Sequence, residues 1–290
     1  MNQINFEEVP LDTKIIDLTH YGVSAVPELA QFKELESLIL RQNKISVIEN
    51  LDKELEELDL YDNSISKIQN LPIVKYLDLS FNKIAKIENI PAQVKELFLI
   101  ANRIEVIENL PGSVRNLELG DNKIRVIQGL SSLVFLEQLW LGKNKITKLQ
   151  GLSTLSNLKI LSIQSNRIVE LEGLEGLQNL EEFYISHNGI TEIKNLESLK
   201  KLKILDLSSN KIQDLVGLEE LEELEELWIS NNQISSFDQI KSQLENKKNL
   251  STVYLEGNPV QAGNDAGYRL KLLNILPRLK QIDATVVRDS

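Results

Sequence analysis

The residues in this chain that could do chemistry are few, and their spacing argues against catalysis. There is no cysteine, which removes disulfides, thiol nucleophiles and the usual zinc sites together. The two histidines, His20 and His187, stand far apart in the sequence and have no nucleophile beside them. Carboxylates are abundant, with a dense run over Glu219–Glu226, yet no loop pattern turns them into a cation site. No glycine loop of phosphate-binding type is present. The aromatic residues are more telling. Trp140, Trp228, Phe98, Tyr184 and Tyr254 each sit between two apolar residues in the same short string, and so do Asp17, Asp59, Asp78, Glu118 and Asp206. Rings and acids at one repeated position are the chemistry of recognition: rings supply anchors, and carboxylates steer a basic partner.

The string is L-x-x-L-x-L-x-x-N-x-I, and it sets the architecture. Its asparagines are Asn43, Asn63, Asn82, Asn102, Asn122, Asn144, Asn166, Asn188, Asn210, Asn232 and Asn258, with gaps of 20, 19, 20, 20, five times 22, and then 26 residues. An earlier copy, Ile16-Asp17-Leu18, has Tyr21 in place of the asparagine. A period in this range means stacked units, each a short strand with a return segment. In each strand the two leucines face inward and the residue between them faces out. Each asparagine should bond backbone groups of its own and the neighbouring turn, which would otherwise be buried without partners. The fold expected is an α/β solenoid: a leucine-rich-repeat right-handed superhelix of about twelve repeats, with a parallel concave sheet and a C-terminal cap. A single domain over 1–290 is expected, with an N-terminal cap and first strand over 1–21, repeats over 22–258 and a C-terminal cap over 259–290.

Within that plan, short units carrying Leu71-Pro72, Ile90-Pro91 and Leu110-Pro111 should have extended returns, and the 22-residue units room for a turn of helix. At the back, Asn264 or Asp265 is expected to N-cap a helix through Tyr268, Leu272, Leu273 and Leu276, ended by Pro277. Leu279, Ile282 and Val286 are then expected to fold over the last strand.

Composition bounds the partners. The formal charge is -11, so a phosphate backbone would be repelled and nucleic acid is not expected. No apolar stretch is long enough to span a membrane, and Met1–Thr13 shows no export signal, so an intracellular protein without a membrane partner is expected. No cofactor or metal is implied.

The stretches LRQNKISVIENL, ELDLYDNSISKI, LDLSFN, LGKNKITKLQGL, LSIQSNRI, YISHNGI and TVYLEGNP, closing with LPRLKQIDATVVR, are more specific than the repeat consensus. In that order they resemble the leucine-rich-repeat regulatory subunits of protein phosphatase 1, the regulatory subunit 7 family. The resemblance implies a non-catalytic regulator that binds the phosphatase catalytic subunit through its concave face and controls its biogenesis, storage or activity. It also implies residence in nucleus and cytoplasm, and a third regulatory protein as a further partner. Carried over by position, the contact residues would be Asp78, Phe98, Glu118, Trp140, Asp206, Glu226, Trp228 and Tyr254. The outward-facing pattern adds Tyr184. The Trp140 position is commonly Phe in relatives. Many regulators of this phosphatase dock through a basic-Val-x-Phe segment; the nearest string here, Arg125-Val126-Ile127-Gln128, lacks the Phe. An adaptor of the same repeat class for another partner, of spliceosomal, axonemal or tubulin-cofactor type, remains the alternative; a secreted adhesin of internalin type would need an export signal.

Overall fold

The computed structural model describes residue 4, residues 6–262 and residues 265–287. The fold is a parallel-sheet β-solenoid of about eleven turns. The chain divides into two compact units, residues 1–139 and 140–290.

Unit 1 holds β1 (Ile15–Asp17), β2 (Ser37–Ile39), β3 (Leu55–Asp59), β4 (Val74–Asp78), β5 (Glu96–Phe98) and β6 (Asn116–Glu118), all parallel and in sequence order. The register aligns like with like: Leu38, Leu58, Leu77, Leu97 and Leu117 form one inward row, fully buried. Strand β7 (Gln138–Trp140) follows. Unit 2 holds β8 (Ile160–Ser162), β9 (Glu182–Tyr184), β10 (Ile204–Asp206), β11 (Glu226–Trp228) and β12 (Thr252–Tyr254), again parallel, with Leu161, Phe183, Leu205, Leu227 and Val253 as the inward row. A buried aliphatic side chain contributes about 1.5–3 kcal/mol, and each row repeats that gain unit by unit.

The asparagine ladder is as the sequence requires. Asn102 donates its amide to Leu79, Leu99 and Ile100 carbonyls at 3.0–3.2 Å and accepts from the Ile104-side neighbour's counterpart, the Ile84 amide, at 2.9 Å. Asn210 repeats this in unit 2 with Ile185, Leu207, Ser208 and the Ile190 amide. One side chain thus gives a buried amide its acceptor and adds a donor to three carbonyls, each shared with a second donor from a neighbouring turn.

Four further features shape the returns. The 22-residue units turn through two consecutive i to i+3 bonds, as in Leu155 N to Leu152 O and Leu158 N to Leu155 O, and all three leucines are buried. In the short units Pro91 and Pro111 each begin one such turn, closed by Val94 and Val114, so those returns are not wholly extended. The 26-residue unit alone fits a full helix, α1 (Phe237–Leu244), N-capped by the Ser236 side chain. A second left-handed position, distinct from the main ladder, is filled by Asn or Gly. Asn50, Asn70, Asn89, Asn109 and Asn195 have positive φ and bond the preceding turn's carbonyl. Gly129, Gly173 and Gly217 take the same place where a Cβ would lie 2.3–2.6 Å from that carbonyl.

The ends are closed by different means. Phe6 stacks edge-on against buried Phe32 at 5.5 Å, while Met1, Asn2, Gln3 and Asn5 lie outside the described residues. Helix α2 spans Asp265–Ile275; the capping role given to Asn264 lies outside the described residues. After it, β13 (Gln281–Ile282) extends the sheet parallel to β12, and β14 (Thr285–Val286) turns back antiparallel. Leu279 and Ile282 are buried, but Val286 is 66% exposed and does not cover the last strand. Asp283 finishes the sheet by accepting from the Leu255 and Glu256 amides and from the Tyr268 hydroxyl.

Candidate functional site

The outward position between the inward aliphatics forms a continuous row in each unit. In unit 1 the register sets Ile39, Asp59, Asp78, Phe98 and Glu118 side by side. In unit 2 it sets Ser162, Tyr184, Asp206, Trp228 and Tyr254 side by side, with Trp140 opening the unit. Three of the proposed positions fall together in the first row and five of the remaining six in the second, Glu226 flanking Trp228.

These side chains are less open than an outward strand position suggests. Asp78 is 5% exposed and Asp206 is 7% exposed, while Phe98, Glu118, Trp140, Tyr184, Glu226, Trp228 and Tyr254 are half-buried. The rings explain the difference in unit 2. Tyr184 and Trp228 stand on strands separated by β10, yet their centroids are 6.0 Å apart, so they lean together over Asp206. Tyr254 meets Trp228 edge-on at 5.8 Å. Their polar tips are already committed: Trp228 Nε1 donates to Glu226 at 3.0 Å and the Tyr184 hydroxyl to Glu182 at 2.7 Å. What a partner meets is therefore ring surface with carboxylates beside it. That arrangement favours a ligand carrying cationic and apolar groups together.

The aspartates have a second, structural task. Asp17, Asp59, Asp78 and Asp206 each accept from the backbone amide two residues on, in Thr19, Tyr61, Ser80 and Ser208, at 2.8–3.0 Å. The side chain thus pins the bend where the strand ends. Burial raises the pKa of Asp78, opposed by its bonds to Ser80 and by Arg41. Glu118 is raised by burial and by the charge of Asp78. Asp59 is pushed up to about 6, chiefly by burial, with Asp78 and Glu57 adding to it and the Tyr61 amide and Arg41 opposing. The Tyr184 hydroxyl is raised by burial and by its bond to Glu182.

Aromatic residues beyond the inter-leucine position also line this face. Tyr76 lies 5.1 Å from Phe98, and Tyr61 lies 4.9 Å from Phe81. Tyr76 stands two residues before Asp78 and so points to the same side by simple alternation, in the row of Glu57 and Glu96. His20 and His187 occupy left-handed turn positions just before the ladder residue, with φ of 64° and 53°.

Comparison with known proteins bears on the repeat fold. The family model for leucine-rich repeats (two copies) matches residues 112–154, 136–176, 156–198 and 178–223. A protein phosphatase 1 regulatory subunit of Schizosaccharomyces pombe is 52% identical over 52 residues, 18% of this chain and 16% of that protein. Protein phosphatase 1 regulatory subunit 7 of Danio rerio is 52% identical over 46 residues, 16% of this chain and 13% of that protein. The matched stretches thus span about a sixth of these relatives or less, a narrower likeness than the phrases along the whole sequence imply. Among solved structures, an internalin of Listeria monocytogenes superposes with a TM-score of 0.70 at 22% identity, over 96% of this chain and 88% of that one. That likeness is one of fold.

Proposed function

We propose that this chain is a non-catalytic regulatory subunit that binds the catalytic subunit of protein phosphatase 1 through the open sheet faces of its two units. Through that contact it controls the enzyme's biogenesis, storage or activity, in nucleus and cytoplasm. The observation that carries the reading is the ring cluster of unit 2: Trp228 is packed against both Tyr184 and Tyr254 on an outward face, with Asp206 beneath and Glu182 and Glu226 holding the ring tips. Half-buried tryptophan and tyrosine on an open sheet are an aggregation liability unless a partner covers them. They are also the residue types on which interface energy concentrates.

Three observations support the partner. Relatives over the matched stretches are named as regulatory subunits of this phosphatase. The carboxylates around the rings suit a basic docking surface. The Arg125-Val126-Ile127-Gln128 string lies within a repeat with Ile127 in the core, so it is not free to dock as an extended segment. A folded face is then the route to the enzyme.

The test is titration of the purified chain against the protein phosphatase 1 catalytic subunit, with Trp140→Ala/Trp228→Ala alongside. Truncating a central aromatic anchor costs about 2 kcal/mol or more, so the double variant should bind at least roughly thirtyfold more weakly. A folded double variant that binds as wild type would remove the open face from the reading. Absence of binding by wild type would remove the partner.

A further inference from the structure

We infer that unit 1 carries a contact point outside the positions proposed above: a cleft over its first turns that receives a lysine or arginine side chain from a basic segment of the protein partner, in competition with the chain's own Arg41. This rests on the reading of the open face as a protein-binding surface and extends it toward the N-terminal turns.

The cleft has a volume of about 520 Å³, with Asp17, Glu57, Asp59, Tyr61 and Tyr76 among its walls. Its chemistry is shown by what already sits there. The Arg41 Nε lies 3.0 Å from Asp59 Oδ2, and its guanidinium carbon lies 4.7 Å from the centre of the Tyr61 ring. A carboxylate on one side and a ring face on the other are the two contacts that favour a guanidinium or ammonium group. The Arg41 side chain is 44% exposed while its partner carboxylate is buried, so the arginine can leave and the acid cannot follow.

Charge in the cleft is unbalanced. Asp59 stands beside Asp78 in register, both buried, and Asp17 and Glu57 line the same space. Arg41 is the one cation among the described residues that line it. Surplus negative charge, seated on buried Asp59 and Asp78 and extended by the more open Asp17 and Glu57, attracts a second cation. Its cost is visible in Asp59, which burial and the neighbouring acids hold far above the usual carboxylate range.

The surroundings select the occupant. The cleft adjoins the unit 1 contact row directly, through Asp59 beside Asp78 and through the Tyr76 ring against Phe98. A chain lying along Asp78, Phe98 and Glu118 can therefore place a side chain in it without leaving the sheet. A bare metal ion would use the carboxylates and leave the rings idle, whereas a lysine or arginine stem covers the rings and delivers its charge to the acids.

The experiment compares binding of the protein phosphatase 1 catalytic subunit by wild type, Asp59→Asn, Arg41→Ala and Trp228→Ala. Asp59→Asn keeps an oxygen for the Tyr61 amide and removes the charge, and should weaken binding about five- to tenfold at low salt, as loss of one buried charge contact does. Arg41→Ala removes the internal competitor and should tighten binding about threefold, the two effects shrinking together at high ionic strength. If both variants bind as wild type while Trp228→Ala loses affinity, the cleft is overturned and the open-face reading stands. If wild type does not bind the phosphatase, the cleft is tested on the full chain with a hexa-arginine peptide. Saturable shifts of the Tyr61 and Tyr76 ring resonances, absent in Asp59→Asn, support the inference; unchanged resonances overturn it.

Discussion

Replacing Asp59 by Asn should make the protein more stable at neutral pH, and the gain should vanish in acid. The folded-state pKa of about 6 lies well above the ordinary value of 3.8. Folded chains therefore hold more protons than unfolded ones between those two values, so stability falls as pH rises through that window and the full penalty applies above it. At roughly 1.4 kcal/mol per pKa unit, the ionised carboxylate costs the fold about 3 kcal/mol near neutrality. Asparagine is neutral throughout and can still accept from the Tyr61 amide, now held by the Asp59 side chain at 3.0 Å. The pair with Arg41 that it gives up is already counted, because Arg41 opposes the rise in the Asp59 value. The net expectation is a gain of about 3 kcal/mol near pH 7.5 and about zero at pH 3.5. Urea unfolding followed by circular dichroism at both pH values measures it, with exchange of the Leu40 and Leu60 amides on either side of Asp59 as a local check. A loss of stability at neutral pH, or an equal gain at both, would refute the reasoning.

Removing a ladder residue should be far more damaging than its single polar side chain suggests. Asn102→Ala leaves the Ile84 amide without its acceptor and takes one of two donors from each of three carbonyls, so a loss of about 2 kcal/mol or more in urea unfolding is expected, with a change under 1 kcal/mol counting against the ladder's role. Gly173→Ala should cost about 2 kcal/mol or more, because φ is +65° and the new Cβ would lie 2.6 Å from Leu149 O, whereas Gly22→Ala, at φ +72° with nothing nearby, should cost about 1 kcal/mol; equal costs would show that close approach is immaterial. Arg269→Ala should free the final hairpin, since its guanidinium donates to Ile282, Thr285 and Val286 carbonyls, and faster exchange of the Val287 amide, bonded to Lys280 O, is the readout. Exchange at the wild-type rate would mean that the hairpin holds without it.

The ladder and the two inward rows were legible because they rest on spacing alone. Once the L-x-L strand and the Asn of each unit are placed, the register of Leu58 with Leu77 follows. The outward rows follow from the same alternation, which sets Trp228 between Asp206 and Tyr254. Burial did not follow. Nothing in the local sequence shows that Tyr184 and Trp228 lean together over Asp206, because their contact crosses an intervening strand. Nor did the structural task of the aspartates, which depends on the strand ending at the aspartate and the chain bending over the next two residues. Tyr76 stands at the flanking outward position shared with Glu57 and Glu96, where alternation places it although it is not among the residues named from the sequence. The second left-handed series, Asn50 to Gly217, was hidden by its split between two residue types that solve one steric problem differently. Val286, expected to fold over the last strand, is taken out to solvent by the antiparallel turn after Ile282.

The most direct test uses the fact that both tryptophans of the chain, Trp140 and Trp228, stand at the proposed contact positions. Labelled with 5-fluorotryptophan, the protein should give two fluorine resonances. On addition of unlabelled protein phosphatase 1 catalytic subunit, both should shift or broaden and reach saturation at one equivalent. A complex that forms while both resonances stay unmoved would contradict the open faces as the binding surface, and no complex at all would contradict the partner.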